Sequence, residues 1–208
     1  MRKGFGIVCL LLGVICLLGA IGLVIYNRWE EKNAAQTTQE LLVDVQLVIQ
    51  QNKEPPPAGE TVLEEAPAET VAVPTEMATI RVNGYDCIGI LSIPVLELEL
   101  PVLADWSYEK LMKAPCHYYG AYYETDFVIA AHNYAAHFGR LSELQPGDVI
   151  VFTDANGEKY YYEVVLLETL PKNATQEMIA SGFDLSLYTC TIGGGSRVTV
   201  RCNTIPAQ

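Results

Sequence analysis

An uninterrupted apolar segment near the N-terminus limits the folds available to the rest of this chain. Residues 4–26 carry no charged side chain, and a helix of this length spans the hydrocarbon core of a bilayer. Arg2 and Lys3 precede the segment and a long acidic remainder follows it, which favours an N-terminus inside the cell. The alternative is a cleaved signal peptide, but its apolar region is typically only about 7–15 residues long. We therefore expect an uncleaved single-pass anchor with the remaining chain outside the membrane.

The charge of the chain argues against several kinds of partner. Its formal net charge is −12 at pH 7, and acidic side chains are spread over the whole segment after the anchor. No basic face is available to neutralise phosphate groups, so we expect no nucleic-acid partner. Docking on anionic lipid through a basic cluster is disfavoured for the same reason. Contact with the membrane is expected through the N-terminal helix.

Residues 27–78 differ in composition from the segments on either side. Within them, residues 36–52 contain the apolar string LLVDVQLVIQ, which predicts a short helix continuing from the membrane. Residues 53–77 are rich in Pro, Glu, Ala and Thr, which predicts an extended, disordered stalk. We thus expect a cytoplasmic tip and anchor over residues 1–26, a helical and disordered linker over 27–78, and a globular domain over 79–208.

Strand patterns dominate the globular part. LELELPVL alternates strictly, as is typical of a strand with one solvated face. Asn156 and Gly157 stand between two apolar runs and predict a tight hairpin, because both residues tolerate positive φ angles. LSLYTC and SRVTVRC predict a last hairpin. A mainly-β domain with one or two short helices removes its exposed sheet edges by closing into a barrel, which is the fold we expect.

Cys190, at the end of LSLYTC, raises the main functional question. It could be a core residue, half of a disulfide or a nucleophile. In a hairpin that turns at GGG, Cys190 lies opposite Arg197, whereas Cys202 lies several pairs further up the ladder. A Cys190–Cys202 bond is then disfavoured, since Cα atoms more than about 7 Å apart cannot be bridged without backbone movement. A bond between Cys87 and Cys116 is left open.

Three residue types that support thiol chemistry occur in order along the chain. His132 ends the apolar strand FVIAAH, so a rigid element would hold its ring at an opening. Arg197 keeps its proton and is therefore a dependable donor to a developing oxyanion. With Cys190 they form a minimal set for acyl transfer through a thioester. Arg201 is the rival arginine, because the register of the hairpin decides which of the two faces the thiol.

The strings FVIAAHN, LSLYTC and SRVTV resemble the three signature blocks of the sortases, the cysteine transpeptidases of Gram-positive cell surfaces. The resemblance covers roughly residues 85–202. It implies a closed eight-stranded β-barrel and no obligatory cofactor. Some members bind calcium through loop acids, but Glu124, Asp126 and Glu177 do not map clearly onto such a site, and no zinc-type spacing is present.

Carried over to this sequence, the resemblance implies that Cys190 is the nucleophile, His132 the general acid/base and Arg197 the stabiliser of the oxyanion or substrate. It implies cleavage of an LPxTG-like sorting motif through a thioester, followed by transfer to a cell-wall amine or to a pilin lysine. The chain departs from the usual pattern at Ala131 and Cys116, where glycine is common. Further candidates for substrate binding are Thr189 and Thr191, which flank Cys190, together with His117 and Asn133.

Three other functions are compatible with the same sequence. A pilin-polymerising sortase would use a protein lysine as acceptor, and a cysteine peptidase would use water. A non-catalytic surface module would keep the barrel for binding and would not need Cys190. Surface proteins that bear a sorting signal are the expected substrates, with a peptidoglycan precursor or a pilin as the amine acceptor.

Overall fold

The computed structural model of the chain describes residues 2–53 and 76–207. Within these ranges the helices are α1 (Arg2–Lys53), α2 (Tyr108–Leu111) and α3 (Thr175–Ile179), with 3₁₀ turns at Pro94–Leu96 and Leu141–Glu143. Nine strands follow the chain order β1 (Ile80–Val82), β2 (Tyr85–Ile93), β3 (Leu98–Leu103), β4 (Cys116–Tyr119), β5 (Phe127–Ala130), β6 (Val149–Asp154), β7 (Lys159–Pro171), β8 (Leu185–Cys190) and β9 (Ser196–Ile205).

Eight of these strands close into a barrel. Their order is β2-β3-β4-β5-β8-β9-β7-β6, and β6 returns to pair with β2, while β1 pairs with the start of β2. The β3–β4 and β5–β8 pairs are parallel, and the other neighbours are antiparallel. The predicted mainly-β, closed eight-stranded barrel with short helices is therefore confirmed.

Barrel closure depends on a close approach of two strands at Gly89. This residue of β2 pairs with Asp154 of β6 and has a φ of +154°. A Cβ atom at this position would lie 2.1 Å from the carbonyl oxygen of Thr153. Only glycine fits this backbone without displacing β6.

Large aromatic side chains fill the interior of the barrel. Phe127 and Phe152 meet edge to face at 5.2 Å, and Tyr122 lies 5.2 Å from Phe152. The hydroxyl of the buried Tyr162 donates to the carbonyl of Tyr122 at 3.1 Å, which satisfies the polar end of this ring. Buried side chains thus occupy the interior of the barrel, which leaves the strand ends as the place for functional side chains.

Helix α1 runs without a break from the apolar segment into the linker. Its apolar side chains from Leu10 to Ile25 are exposed, and among the described residues α1 is the one helix long and apolar enough to cross a membrane. The predicted helix over residues 36–52 is confirmed as the C-terminal half of α1. The predicted disordered stalk over residues 53–77 falls almost entirely outside the described residues.

The C-terminal half of α1 packs on the barrel instead of projecting away from it. Leu41, Val45 and Ile49 recur at helical spacing and are buried against a cluster that includes Ile80 and Leu103. This spacing places one stripe of the helix on the outer face of β1, β2 and β3. Burial of each such side chain contributes about 1.5–3 kcal/mol, enough to hold the helix on the domain.

Candidate active site

Cys190 is the last residue of β8 and lies at the rim of the barrel. Its partner across the β8–β9 ladder is Arg197, as the hairpin predicted, and Leu185 pairs with Cys202 at the other end. Gly193 and Gly194 form the turn with φ angles of +86° and +72°. This left-handed backbone returns the chain within a few residues, which brings thiol and guanidinium onto neighbouring strands.

His132 reaches the same rim from β5. The parallel register pairs Ala130 with Tyr188, and the next amide, that of Ala131, donates to the carbonyl of Tyr188 at 3.2 Å. The hydroxyl of Thr189 donates back to the carbonyl of Ala131 at 2.8 Å. Extending this register by two residues places His132 at the level of Cys190.

One cavity of about 240 Å³ joins the three predicted residues. His132, Cys190 and Arg197 all line it. The remaining wall is largely aromatic and aliphatic, apart from Lys172 and Thr175, and includes Trp106, Tyr108, Leu111, Tyr118, Met178 and Tyr188. A mainly apolar wall with a few convergent polar groups is the usual composition of a small-ligand or peptide pocket.

Burial and charge act on His132 in opposite directions. Partial burial lowers the pKa of its imidazole, and the carboxylate of Glu30 in α1 raises it. The ring of Tyr134 lies 5.0 Å from the ring of His132, at an interplanar angle of 32°. His132 thus lies between the cavity and the part of α1 that follows the apolar segment.

Arg197 is held by the turn that it helps to close. Its Nη1 donates to the carbonyls of Gly194 at 3.2 Å and Ser196 at 3.0 Å. These bonds hold one nitrogen of the guanidinium group beside the cavity that Arg197 and Cys190 both line. An arginine fixed in this way can donate to an oxygen that develops negative charge in the pocket.

Comparison with known proteins identifies the family of this chain. A family model described as a sortase domain matches residues 91–205, more than half of the chain. The chain belongs to the sortase family. Members of this family are cysteine transpeptidases. No curated protein matches it.

Solved structures of several sortases share the fold. Sortase A from Corynebacterium diphtheriae is 23% identical, with a TM-score of 0.54 over 60% of this chain and 63% of that chain. Sortase C1 from Streptococcus suis is 29% identical, with a TM-score of 0.53 over 59% of this chain and 74% of that one. The chain therefore aligns with less than two thirds of the corynebacterial protein.

The rival arginine of this sortase has a different environment. Arg201 pairs with Ser186, is 1% exposed, and its Nε donates to the Glu168 carboxylate at 2.8 Å. Its Nη1 donates to the Ser186 hydroxyl at 2.7 Å and its Nη2 to the Glu177 carbonyl at 2.6 Å. These bonds tie β7, β8 and α3 together, so Arg201 is occupied inside the fold and Arg197 is the arginine at the pocket.

The predicted substrate-binding residues are separated by the fold. Asn133, Thr189 and Thr191 line a second depression, which Cys190 also borders. The hydroxyl of Thr191 donates to the carbonyl of Ser196 and accepts from the amide of the same residue. His117 lies elsewhere, between the carbonyls of Ala104 and Gly120, and the cavity around Cys190 does not include it.

The order of the strands decides whether Cys87 and Cys116 can form a disulfide. Cys87 and Cys116 are both free, and each pairs with Leu103, from opposite sides of β3. Two strand spacings are about 9.6 Å, beyond the reach of a disulfide. Burial raises the pKa of both thiols to about 12, so Cys87 and Cys116 act as core residues.

Several residues of the cavity were not predicted from the sequence, because no local pattern marks them. Trp106, Tyr108 and Lys172 come from loops or from α2 and converge only in the folded barrel. Glu30 lies about a hundred residues before His132 along the chain. Among the described residues there is no cluster of three or more His, Cys, Asp and Glu that could hold a metal ion.

Proposed function

We propose that this sortase cleaves an LPxTG-like sorting signal and joins the surface protein to a cell-wall amine. The observation that supports the proposal is the convergence of His132, Cys190 and Arg197 on one cavity at the barrel rim. A thiol, an imidazole and a permanent cation are the groups that acyl transfer through a thioester requires. The family implies sorting-signal substrates, and the motif and the acceptor are the finer part of the proposal.

The chemistry follows from the roles of these three groups. The thiolate of Cys190 attacks the carbonyl carbon of the Thr–Gly bond, and the carbonyl oxygen becomes an oxyanion that accepts hydrogen bonds from Arg197. The imidazolium of His132 gives its proton to the leaving amine as the C–N bond breaks, which leaves a thioester on Cys190. An incoming amine then attacks the thioester and gives its proton to His132, and the thiolate departs. No cofactor takes part in these steps.

The walls of the cavity support a peptide with apolar and small residues. Trp106, Tyr118 and Tyr188 line the cavity, and aromatic rings can bind leucine and proline side chains without requiring charge. Lys172 and Arg197 are the cations of the lining. A sorting motif with an apolar leader and an uncharged Thr–Gly bond fits this surface.

The apolar part of α1 supports a place at the membrane. We propose that residues 4–26 span the bilayer once and hold the barrel on the extracytoplasmic side, where sortases act. Tyr26 ends the apolar segment and Trp29 follows it; their ring centroids lie 6.4 Å apart, and aromatic side chains are common at the membrane interface. Substrates that are themselves membrane-anchored would meet the enzyme there.

Ligation of peptides tests the proposal directly. The full chain in detergent micelles would be given an LPxTG-containing peptide together with triglycine, a diaminopimelate-type amine or a pilin-derived lysine peptide, and the products would be identified by mass spectrometry. A ligated product with the cell-wall type amines supports the anchoring role. A product with the lysine peptide alone would replace that role by pilin polymerisation, and hydrolysis without ligation across all donors would contradict transpeptidation.

Variants of Cys190 test the enzymatic reading itself. Cys190→Ala is expected to abolish ligation and thioester formation, and a thiol-directed reagent is expected to label Cys190 before the buried Cys87, Cys116 and Cys202. Undiminished ligation by Cys190→Ala would defeat both enzyme hypotheses and leave a binding module.

A further inference from the structure

Helix α1 makes a set of polar contacts with the loop that follows His132. The Tyr134 hydroxyl donates to Glu30 at 3.0 Å, and the Ala135 amide donates to Glu31 at 3.0 Å. Two turns further along the helix, Thr38 and the Nε2 of His137 form a buried hydrogen bond of 2.7 Å. Three residues on one helix thus hold three residues of one short loop.

The loop itself is compact and transmits these contacts to His132. The His137 and Gly139 amides both donate to the Tyr134 carbonyl at 2.9 Å, and the Phe138 amide donates to the His132 carbonyl at 3.1 Å. A Cβ atom on Gly139 would lie 2.6 Å from the Asn133 carbonyl oxygen, so the loop is closed tightly on itself. Displacement of Tyr134 therefore also displaces the backbone that carries His132.

Tyr134 connects Glu30 with His132 directly. One end of its side chain is bonded to the Glu30 carboxylate, and its ring lies 5.0 Å from the imidazole. We propose that Glu30 is a positioning residue for His132, acting through Tyr134. The part of α1 just after the membrane segment then forms part of the active site. This inference rests on the proposed function, in which His132 is the acid/base.

The charge of Glu30 adds a second effect to the tether. A carboxylate near an imidazole favours the protonated ring, and Glu30 raises the pKa of His132 against the lowering caused by burial. The other titratable groups around His132 come from α1, from the loop and from the elements that line the cavity; they are Glu31, Tyr134, His137, Tyr108, Tyr118, Lys172, Tyr188, Cys190 and Arg197.

The pH profile of ligation separates positioning from a purely structural role. His132 must be protonated to release the leaving amine, so kcat/KM falls as pH rises through the pKa of His132. Glu30→Gln keeps an oxygen for the Tyr134 hydroxyl but removes the charge. It is expected to shift this basic limb to lower pH. Glu40→Gln removes the same charge from an exposed position on the same helix, where Glu40 bonds Gln36, and is expected to leave the limb in place.

A second variant tests the tether. Tyr134→Phe keeps the ring beside His132 and removes the hydroxyl bonded to Glu30. It is expected to lower kcat by about 10- to 100-fold with KM unchanged, since small displacements of a reacting group cost this much. All variants are compared as full-length chains in detergent micelles, with triglycine as acceptor and thermal unfolding measured alongside.

The outcomes distinguish this inference from the function on which it rests. Ligation that survives both Cys190→Ala and His132→Ala would overturn the proposed function. If those two variants are inactive but the Glu30→Gln profile superimposes on that of Glu40→Gln, the effect of the Glu30 charge on His132 is overturned alone. Wild-type kcat in Tyr134→Phe would overturn the tether.

Discussion

At the scale of single residues, the two arginines of β9 show how neighbouring side chains of one type take different tasks. Arg197 pairs with Cys190 at the rim, whereas Arg201 is buried and bonded to Glu168 and Ser186. Arg197→Ala is expected to lower kcat/KM by about 10²- to 10³-fold with little change in the unfolding temperature. Arg201→Ala is expected to cost about 3 kcal/mol of stability, because the fold loses a buried ion-pair partner.

Ligation kinetics and thermal unfolding of the two variants, measured side by side, check this division. A large loss of stability in Arg197→Ala together with unchanged kinetics would reverse the assignment. The same would follow if Arg201→Ala were stable but inactive.

The hydroxyl of Thr189 is a second feature at the scale of single residues, because it joins the strand that ends at Cys190 to the residue before His132. Thr189→Val keeps the shape but leaves the buried carbonyl of Ala131 without its 2.8 Å donor. We expect a loss of about 1–3 kcal/mol and a fall in kcat with KM unchanged. Thr153→Val, on β6 away from the site, is the matched control. A rise in KM with unchanged kcat in Thr189→Val would instead favour direct substrate binding by Thr189.

At the scale of elements, the docking of α1 depends on one stripe of the helix. Val45 is 0% exposed at its centre, whereas Val43 is 45% exposed two residues earlier. Val45→Asp is expected to destabilise the full chain by about 3 kcal/mol or more, because it places an unpaired charge in the contact with the barrel. Val43→Asp is expected to stay within about 0.5 kcal/mol of the wild type.

Limited proteolysis within α1 and thermal unfolding measure this docking. Val45→Asp is expected to expose the helix to cleavage, and Val43→Asp is not. Equal protease resistance of the two variants would mean that the helix does not pack on the barrel in solution.

At the scale of the whole molecule, acid stability depends on a histidine buried between α1 and the barrel. Burial lowers the pKa of His137 to about 4. The Thr38 hydroxyl donates to the Lys113 carbonyl and so accepts from His137 Nε2, which leaves Nδ1 without a partner among the described residues. Protonation of Nδ1 would therefore place a charge in a buried site that offers it no acceptor.

The unfolded chain binds this proton near pH 6.5, well before the folded chain does. The contribution of neutral His137 to the free energy of unfolding is therefore fully present above about pH 6.5. It is expected to fall by about 3 kcal/mol as pH decreases to about 4. His137→Gln removes the titrating group, so its unfolding free energy is expected to lose this slope. Denaturation of both chains between pH 4 and 7 measures the difference, and parallel slopes would show that His137 is not the group responsible.

The strands and the last hairpin were predictable because their signals are local, whereas the number of strands in the barrel came from the resemblance. Hydrophobic alternation marks strands over a few residues, and the glycine turn after Cys190 sets the register that brings Arg197 opposite it. The place of His132 was predictable from its position at a strand end together with the resemblance. Residues such as Trp106 and Lys172 were not predictable, because they meet the site through loops that carry no repeating pattern.

The sequence by itself determined the apolar N-terminal helix, the strand order of the last hairpin and the residues able to do thiol chemistry, since each depends on neighbours a few positions apart. Only the tertiary structure decided that Arg201 is buried, that His117 lies away from Cys190, and that α1 packs on the barrel with Glu30 beside the loop of His132. These contacts join residues many tens of positions apart. Their geometry is set by side-chain packing across the closed barrel, which no short stretch of sequence encodes.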